Sequence, residues 1–424
     1  MKTFQSRLAD PAAVSPSDTR HVQRLDVAGM RCEFPALRDS FVHLDGTAGT
    51  QVPRSVAAAI AETMSAAMSH GGTLTAAGRT AHAAVRAARS AIGDLVGAQP
   101  EGVIFGRNMT EMTFGMARTI AKTWRPGDEV VVCRLDHAAN IAPWVLEADR
   151  AGATVRWIDF DTETGDITLD DVTAALSDRT RLVAMTAASN VLGTRPAIEQ
   201  MAAAIHAAGA LLYLDGVALT PHAPVDVTTC GADFFALSTH KVFGPHCAAV
   251  VARPALLEEL SPDRLPCTPD SVPGRFELGT PSYEVLAGVR AMVDYLASLA
   301  GDTHQSRRAR VLHAMGLIEE HEKVLRTRLV EGITSLRGVR VHGRPRLCTP
   351  TTLLSVVGTP PRALAEFLAE RGIGVSVGTF HAEEATRALG LGPEGAIRVG
   401  PVAYNTTADI DAVVDAVGRF ARAQ

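Results

Sequence analysis

The sequence predicts an α/β protein: a large domain with a mostly parallel central sheet, followed by a smaller C-terminal α+β domain. From about residue 55 to residue 300, short β-branched runs alternate with Ala-rich amphipathic segments. Several of the strand candidates are near-continuous apolar runs, which is typical of strands buried on both faces of a parallel sheet. Strands and helices in alternation place helices on both faces of that sheet. Beyond about residue 305 the pattern changes to short strands mixed with helices.

The elements of the large domain follow from these two periodicities. The predicted helices are 55–68, 81–96 and 197–209. The predicted strands are 102–106, 129–133, 154–160, 181–189, 210–215, 234–238 and 248–252.

The C-terminal part begins with a long charged helix, 307–333. It continues with strands VRVHG and TTLLSVV, helix PRALAEFLAERG, strands IGVSV and AIRVG, and a final helix, DIDAVVDAVGRFARA. We therefore divide the chain into a loosely ordered N-terminal extension (1–30), a segment near the active site that could pack against either domain (31–54), the large domain (55–304) and the small domain (305–424).

Composition and charge exclude several classes of protein. The 424 residues carry a formal net charge of −5, so no global basic field attracts nucleic acid. Six scattered cysteines without a CxxC pair indicate reduced thiols and not a disulfide framework. The N-terminus lacks the apolar stretch of a signal peptide, and no apolar run has the length of a membrane span. We expect a soluble, cytoplasmic protein without a membrane partner.

Some familiar patterns carry no function here. GLGPEG (390–395) fits a dinucleotide motif, but it follows no strand, so a turn between helix and strand explains it better. STHK (238–241) ends a strand and does not begin a helix, which argues against a nucleophilic Ser238. DFDTETGD (159–166) is typical of a solvated loop. The histidines show no HExxH or other metal spacing, so no metal is expected, and His313 and His321 on the long helix are predicted to lie at the surface.

One pair of residues does predict chemistry. Asp215 ends the apolar strand ALLYL, and Lys241 follows the strand FFAL some 26 residues later. Ligands of α/β folds lie at the carboxyl ends of parallel strands, where these two side chains would meet. A buried lysine is costly unless it has a partner or a reaction. A carboxylate and a lysine are also what a pyridine aldehyde cofactor needs, although a structural ion pair explains the spacing equally well.

The surrounding motifs resemble those of the class V aminotransferase, or cysteine desulfurase-like, family of fold-type I enzymes, which use pyridoxal 5'-phosphate (PLP). The resemblance runs from about residue 34 to residue 420. It rests on eight segments in order: HLDGTAGTQVP, FGRNMTEMTF, RLDHAANIAPW, ASNVLGT, LDGVALTPHAPVDV, LSTHKVFGP, GRFELGT and IRVGPVAYNT. Their joint occurrence is a much stronger signal than any one of them.

The resemblance implies a role for each matching residue in cofactor binding. Lys241 would be the Schiff-base lysine and the base that moves the Cα proton, Asp215 would pair with the pyridinium nitrogen, and the imidazole of His137 would stack on the ring. The phosphate would be bound at a helix N-terminus by Asn108, Met109 and Thr110, with Ser238 and His240 as further donors.

The resemblance also implies a homodimer and a carboxylate site. Gly279 and Thr280 match a loop that reaches the phosphate of the neighbouring subunit, so the active sites would be shared. Arg398 matches the arginine that binds the substrate α-carboxylate, and Asn190 lies where a second carboxylate contact is expected.

Two departures from the family limit what can be transferred. The loop that carries the sulfur-accepting cysteine of desulfurases reads VGTFHAEEA (377–385), with His381 in the corresponding place. Because the thiolate is the indispensable nucleophile, we do not expect a persulfide-forming desulfurase. His381 could act as an acid or base or only fill the loop. Ala218 replaces a residue that bonds the ring hydroxyl, and His222 is either its substitute or a structural histidine.

The remaining chemistry is a reaction at the Cα of an amino acid substrate. We expect Lys241 to remove the Cα proton, followed by β-elimination of a thiol from a cysteine S-conjugate-like substrate, possible in natural-product pathways. Transamination, epimerisation or decarboxylating deamination would use the same residues. A non-catalytic protein with this fold would have no need to retain Lys241, Asp215, His137 and Arg398 together.

Overall fold

The computed structural model describes residues 24–301 and 305–423. The strands are β1 (Val42–His43), β2 (Val103–Gly106), β3 (Glu129–Cys133), β4 (Thr154–Ile158), β5 (Thr180–Thr186), β6 (Leu211–Asp215), β7 (Phe234–Ser238), β8 (Ala248–Ala252), β9 (Val339–His342), β10 (Thr352–Val356), β11 (Ile373–Gly374), β12 (Ser376–Gly378) and β13 (Ala396–Val399). The helices are α1 (Val27–Cys32), α2 (Arg54–Ser65), α3 (Ala76–Val96), α4 (Met109–Ala121), α5 (Ala142–Ala151), α6 (Leu169–Ala175), α7 (Ile198–Ala207), α8 (Pro254–Glu258), α9 (Tyr283–Ser298), α10 (Arg307–Thr334), α11 (Pro361–Ala369), α12 (Glu383–Ala388) and α13 (Thr407–Arg422).

Seven strands form the central sheet, in the order β2-β8-β7-β6-β5-β3-β4. The five strands from β7 to β4 are parallel, and β8 runs antiparallel to both of its neighbours. Every residue of β3, β7 and β8 is buried, as their unbroken apolar sequences predict. The mostly parallel sheet expected from the sequence is therefore confirmed.

The register of this sheet brings polar side chains together at its carboxyl edge. Thr186 of β5 pairs with Asp215 of β6, and Asp215 pairs with Ala236 of β7. Strand β7 ends two residues further on, at Ser238, and a 3-10 turn over Thr239–Lys241 follows directly. Because neighbouring parallel strands end at the same edge, Asp215 and Lys241 lie on one side of the sheet.

The C-terminal part has its own antiparallel sheet, in the order β12-β13-β10-β9. A separate apolar core lies between this sheet and helices α10, α11 and α13. The segment IGVSV, predicted as one strand, forms the two strands β11 and β12, which belong to different sheets. The predicted strand is interrupted at Val375 because β11 pairs with β1, whereas β12 pairs with β13.

Residues near the N-terminus connect the two sheets. Strand β1 pairs with β11, and Asp45 forms an isolated bridge with Gly400. The N–H of Thr50 donates to the carbonyl of His240, next to Lys241. The predicted segment 31–54 thus contacts both parts of the chain.

Other expectations differ from the structure in detail. The predicted extension 1–30 lies mostly outside the described residues. Helix α1 begins at Val27, so regular structure starts before residue 30, where the extension was predicted to end. Helix α3 begins at Ala76, five residues earlier than predicted, because the Thr75 hydroxyl caps it by accepting from Gly78 N–H at 3.0 Å.

The prediction for His321 is wrong. Its side chain is half-buried and its Nε2 lies 2.9 Å from the carbonyl oxygen of Asn405, whereas His313 is exposed as predicted. A charged helix sequence does not reveal which of its polar faces a distant loop covers. Within the part of the chain that the structure describes, no helix is both long and apolar enough to cross a membrane.

Candidate active site

A cavity of about 930 Å³ opens where β5, β6 and β7 end. The last residue of each strand, Thr186, Asp215 and Ser238, lines it. It brings together eleven of the residues singled out from the sequence: Asn108, Met109, Thr110, His137, Asn190, Asp215, Ser238, His240, Lys241, His381 and Arg398.

The lysine and the acid at the strand ends both have shifted pKa values. Burial and, to a lesser extent, the charge of Arg398 lower the pKa of Lys241 to about 8, although Asp215 opposes the shift. Burial raises the pKa of Asp215 to about 6, although its Oδ1 accepts a hydrogen bond from Val217 N–H at 2.9 Å. A lysine with this pKa is partly neutral near neutral pH and can act as a nucleophile or a base.

The N-terminus of α4 forms one end of the cavity. The Asn108 side chain caps the helix by accepting from Glu111 N–H at 2.8 Å, which leaves other N–H groups of the first turn without helical partners. Thr110 lines the cavity here, and so do Ser238 and His240 from β7 and the turn after it. A helix N-terminus with added polar donors favours an anion such as a phosphate.

Two imidazoles face each other on another wall. The ring centroids of His137 and His381 are 5.3 Å apart. Burial lowers the pKa of His137 to about 3, and the positive charge of Lys241 contributes to the shift. The His137 ring is therefore neutral at physiological pH and suits stacking on a flat ligand.

Arg398 supplies a positive charge on the small-domain side. Only 5% of the residue is exposed, and its Nη1 donates to the carbonyl oxygen of Asn190 at 2.9 Å. Burial lowers its pKa to about 10, so the guanidinium stays charged at neutral pH. Its Nε has no hydrogen-bond partner, and neither has Oδ1 of Asn190. A buried guanidinium with an unused donor is suited to a carboxylate ligand.

The aminotransferase class-V family matches residues 42–413, nearly the whole chain. This chain belongs to that family. The uncharacterized protein MT3887 of Mycobacterium tuberculosis is 33% identical over 399 residues, which cover 92% of this chain and 98% of that protein. Aminotransferase-like protein FGM3 of Gibberella zeae is 30% identical over 404 residues, covering 92% and 97% of the two chains. The crystal structure of the Escherichia coli cysteine desulfurase CsdA (S-sulfonic acid) matches with a TM-score of 0.82 and 26% identity over 94% of this chain and 98% of that chain.

These similarities confirm a fold-type I, PLP-dependent class-V enzyme, as the motifs predicted. The residues of the cavity fit the cofactor. Three residues that line it, Thr47, Asn190 and Arg398, each hold a buried polar atom without a hydrogen-bond partner, and such atoms indicate a site built for a polar ligand. The basic side chain of Lys241, the acid Asp215 and the helix terminus at Asn108 are the three kinds of group that an aldehyde, a pyridine nitrogen and a phosphate require.

Three residues singled out from the sequence of this class-V chain lie outside the cavity. Gly279 and Thr280 are exposed and do not line the cavity of this chain. His222 does not line it either, because its Nδ1 lies 2.8 Å from Oε2 of Glu322. The structure thus supports the structural alternative for His222 and offers no substitute there for the contact missing at Ala218.

Sequence reasoning did not single out two polar groups, one that lines this class-V site and one buried directly behind it. Thr47 lines the cavity and follows the bridge at Asp45. Asp136 is fully buried, and neither of its carboxyl oxygens has a hydrogen-bond partner. Burial, with a contribution from Asp215, raises the pKa of this carboxyl group well above its ordinary range. Its place directly before His137 was the available signal.

Proposed function

We propose that this class-V enzyme is a lyase that eliminates a thiol from the Cβ of a cysteine S-conjugate-like amino acid. The observation that carries the proposal is a cavity lining without cysteine: where the motif resemblance would place the sulfur-accepting cysteine of desulfurases, this chain has His381, whose ring lies against that of His137. None of the six cysteines, all of which lie within the described residues, lines this cavity. Without a thiolate to accept it, the sulfur would leave together with its substituent.

The side chains divide the work of such an elimination. PLP, when bound, withdraws electrons from the Cα of the attached amino acid and so makes the Cα proton acidic. Lys241, with a pKa of about 8, would hold the cofactor while no substrate is bound. Once the substrate amine has taken its place, the freed Lys241 amine would take the Cα proton. Asp215 holds a positive charge on the pyridine nitrogen. The net reaction converts one S-substituted cysteine and one water into one thiol, one pyruvate and one ammonium ion.

Other residues hold the reactants and handle the leaving group. The first turn of α4, from Asn108 to Thr110, and the side chains of Ser238 and His240 bind the phosphate. Arg398 and Asn190 bind the substrate carboxylate. We assign His381 the transfer of a proton to the departing sulfur, since its ring faces the cavity.

The deciding experiment incubates the purified protein with S-methyl-L-cysteine and S-benzyl-L-cysteine and measures pyruvate and free thiol. Equal amounts of both products support the lyase. A keto acid that retains the sulfur substituent would instead indicate an aminotransferase, inversion at Cα an epimerase, and released carbon dioxide a decarboxylating deaminase. Turnover of no amino acid by protein that binds PLP would indicate a non-catalytic protein.

Cofactor attachment is tested separately. We expect absorbance at about 410–430 nm from the imine with Lys241, lost on borohydride reduction and in Lys241→Ala. Colourless protein after addition of PLP would contradict the assignment of Lys241.

The exclusion of persulfide chemistry has its own test. Incubation with L-cysteine, followed by intact-mass measurement, is expected to show no added sulfur atom on the protein. A persulfide on any cysteine would overturn this part of the proposal.

We further propose that the enzyme is a cytoplasmic homodimer in which Gly279 and Thr280 reach the phosphate of the other subunit. Large apolar side chains are exposed beside them and on a nearby loop: Leu278 is 71% exposed and Leu74 is 94% exposed. The hydroxyl of Tyr283, four residues after Gly279, accepts from Gly71 N–H at 2.9 Å, so the two segments adjoin. Light scattering is expected to give the mass of a dimer, and Thr280→Ala is expected to weaken PLP binding.

A further inference from the structure

The loop over residues 379–382 has an unusual backbone. Phe380 and His381 have φ values of 61° and 54°, so two consecutive residues with side chains adopt the left-handed conformation. In this conformation the Cβ of an L-residue crowds the following carbonyl oxygen, and bulky residues rarely adopt it. Such a backbone persists only where its surroundings hold it in place.

Two hydrogen bonds from the large domain hold this loop. The Asn190 side chain donates through Nδ2 to the carbonyl oxygen of Phe380 at 2.9 Å. The N–H of Ala138 donates to the carbonyl oxygen of His381 at 2.6 Å. Arg134 forms an ion pair with Glu384 just beyond the loop. The strained turn is therefore fixed to the wall of the cavity that carries His137.

The turn directs the Phe380 ring onto Arg398. The guanidinium carbon of Arg398 lies 4.4 Å from the ring centroid, within the range of a cation–π contact. On the guanidinium itself, Nη1 is used by Asn190 O, and Nη2 makes a long contact of 3.4 Å with the Ser376 hydroxyl. The Nε–H has no partner. One face and one corner of the guanidinium are thus occupied, and its Nε is buried without a partner.

We propose that Phe380 is a positioning residue: its ring, set by the left-handed turn, fixes the Arg398 guanidinium at the cavity wall, where the guanidinium receives the substrate carboxylate. The inference rests on the proposed function only in assigning the carboxylate to Arg398. An arginine fixed in advance loses less conformational freedom when a ligand binds, and two donors along one edge match the plane of a carboxylate. The strain at residues 380 and 381 is then the cost of this pre-organisation.

The test uses ligands that cannot react with the cofactor. 3-(Methylthio)propanoate carries the carboxylate but lacks the α-amino group, and 3-(methylthio)propanamide differs only in its uncharged amide. Binding of each to the holoenzyme is measured by ligand-observed NMR titration. The variants are Phe380→Leu, which removes the ring, and Phe380→Tyr, which keeps it.

The chain offers a matched control for the loss of a ring from an arginine. The guanidinium carbon of Arg371, two residues after the end of α11, lies 3.4 Å from the ring centroid of Phe367 within that helix, and neither residue borders the cavity. Phe367→Leu removes the same kind of contact there, and thermal unfolding of all variants reports their folding.

We expect Phe380→Leu to weaken binding of the propanoate by about three- to tenfold, the usual size of a partly buried cation–π contact. Phe380→Tyr and Phe367→Leu should bind it as the parent does, and the propanamide should respond to none of the changes. Unchanged propanoate binding in Phe380→Leu overturns the inference. An equal loss for both ligands also overturns it, since that would reflect a damaged pocket. Pyruvate release decides the reaction independently, so a failed lyase proposal leaves this result interpretable.

Discussion

His222 and Glu322 form a buried pair in which Nδ1 of the imidazole lies 2.8 Å from Oε2 of the carboxyl group. His222 lies seven residues after β6, beyond the carboxyl ends of the parallel strands, and Glu322 lies in the middle of α10. The side chains are 3% and 2% exposed, so the pair joins the two parts of the chain out of contact with water. Burial raises the pKa of Glu322, and His222 opposes the shift.

Loss of one partner of this pair is expected to be costly. In Glu322→Leu the imidazole of His222 stays buried without its hydrogen-bond partner, and we expect the free energy of unfolding in urea to fall by about 3–5 kcal/mol. The double variant His222→Phe/Glu322→Leu should recover much of the loss because no polar group is left unpaired. Glu320→Leu, at an exposed position of the same helix, is the control and should change stability by less than about 0.5 kcal/mol.

This pair shows where sequence reasoning ends. The strand over 210–215 and the charged helix over 307–333 were both predicted, because each follows from a local period. That a carboxylate of the helix meets a histidine 100 residues earlier depends on how α10 packs, which no local pattern contains. The wrong prediction for His321 has the same cause.

The pKa of Lys241 predicts how cofactor uptake depends on pH. The neutral amine is the form that attacks an aldehyde, so the rate at which apoenzyme regains its absorbance should rise with pH and reach its midpoint near pH 8. The negative charge of Asp215 raises the pKa of Lys241, so Asp215→Asn should move the midpoint to lower pH. Stopped-flow absorbance measures both profiles. A midpoint that moves upward in Asp215→Asn would show that the charge does not act on Lys241.

Gly400 is predicted to tolerate no side chain. A Cβ there would lie 1.9 Å from Oγ1 of Thr47, which borders the cavity, and next to the bridge with Asp45. Gly400→Ala should therefore lower the melting temperature and weaken PLP binding. Gly316→Ala is the matched control, since that glycine lies inside α10 with no atom within 4 Å of the added Cβ. It should raise stability by about 0.5–1 kcal/mol through helix propensity alone. Equal effects of the two changes would contradict the close approach at Thr47.

The proposed role of His381 predicts a dependence on the leaving group. If the imidazole protonates the departing sulfur, His381→Ala should slow elimination of an alkyl thiol by about 100-fold or more, and elimination of a more acidic aryl thiol much less. Pyruvate release from S-methyl-L-cysteine and S-(4-nitrophenyl)-L-cysteine measures the two rates. His313→Ala, at an exposed position of α10, serves as the control. The same loss for both substrates would leave His381 with a structural role.

The polar residues of the cavity were predictable to different degrees. Asp215 and Lys241 could be placed because strand ends are visible in the sequence and the carboxyl edge of a parallel sheet is where ligands lie. Phe380 could not be placed, because its position depends on a left-handed backbone that sequence patterns assign to glycine and asparagine. The raised pKa of Asp136 depends on complete burial among distant elements, which the sequence of its loop does not reveal.

The pairing of β1 with β11 also has a consequence for biosynthesis. Val42 pairs with Ile373, so β1 cannot form its strand pairing until about 330 further residues have left the ribosome. The central sheet, complete at Ala252, can form before that. Assembly of the cavity is therefore a late event of folding, because Thr47 and Arg398 reach their places only after nearly the whole chain has been synthesised.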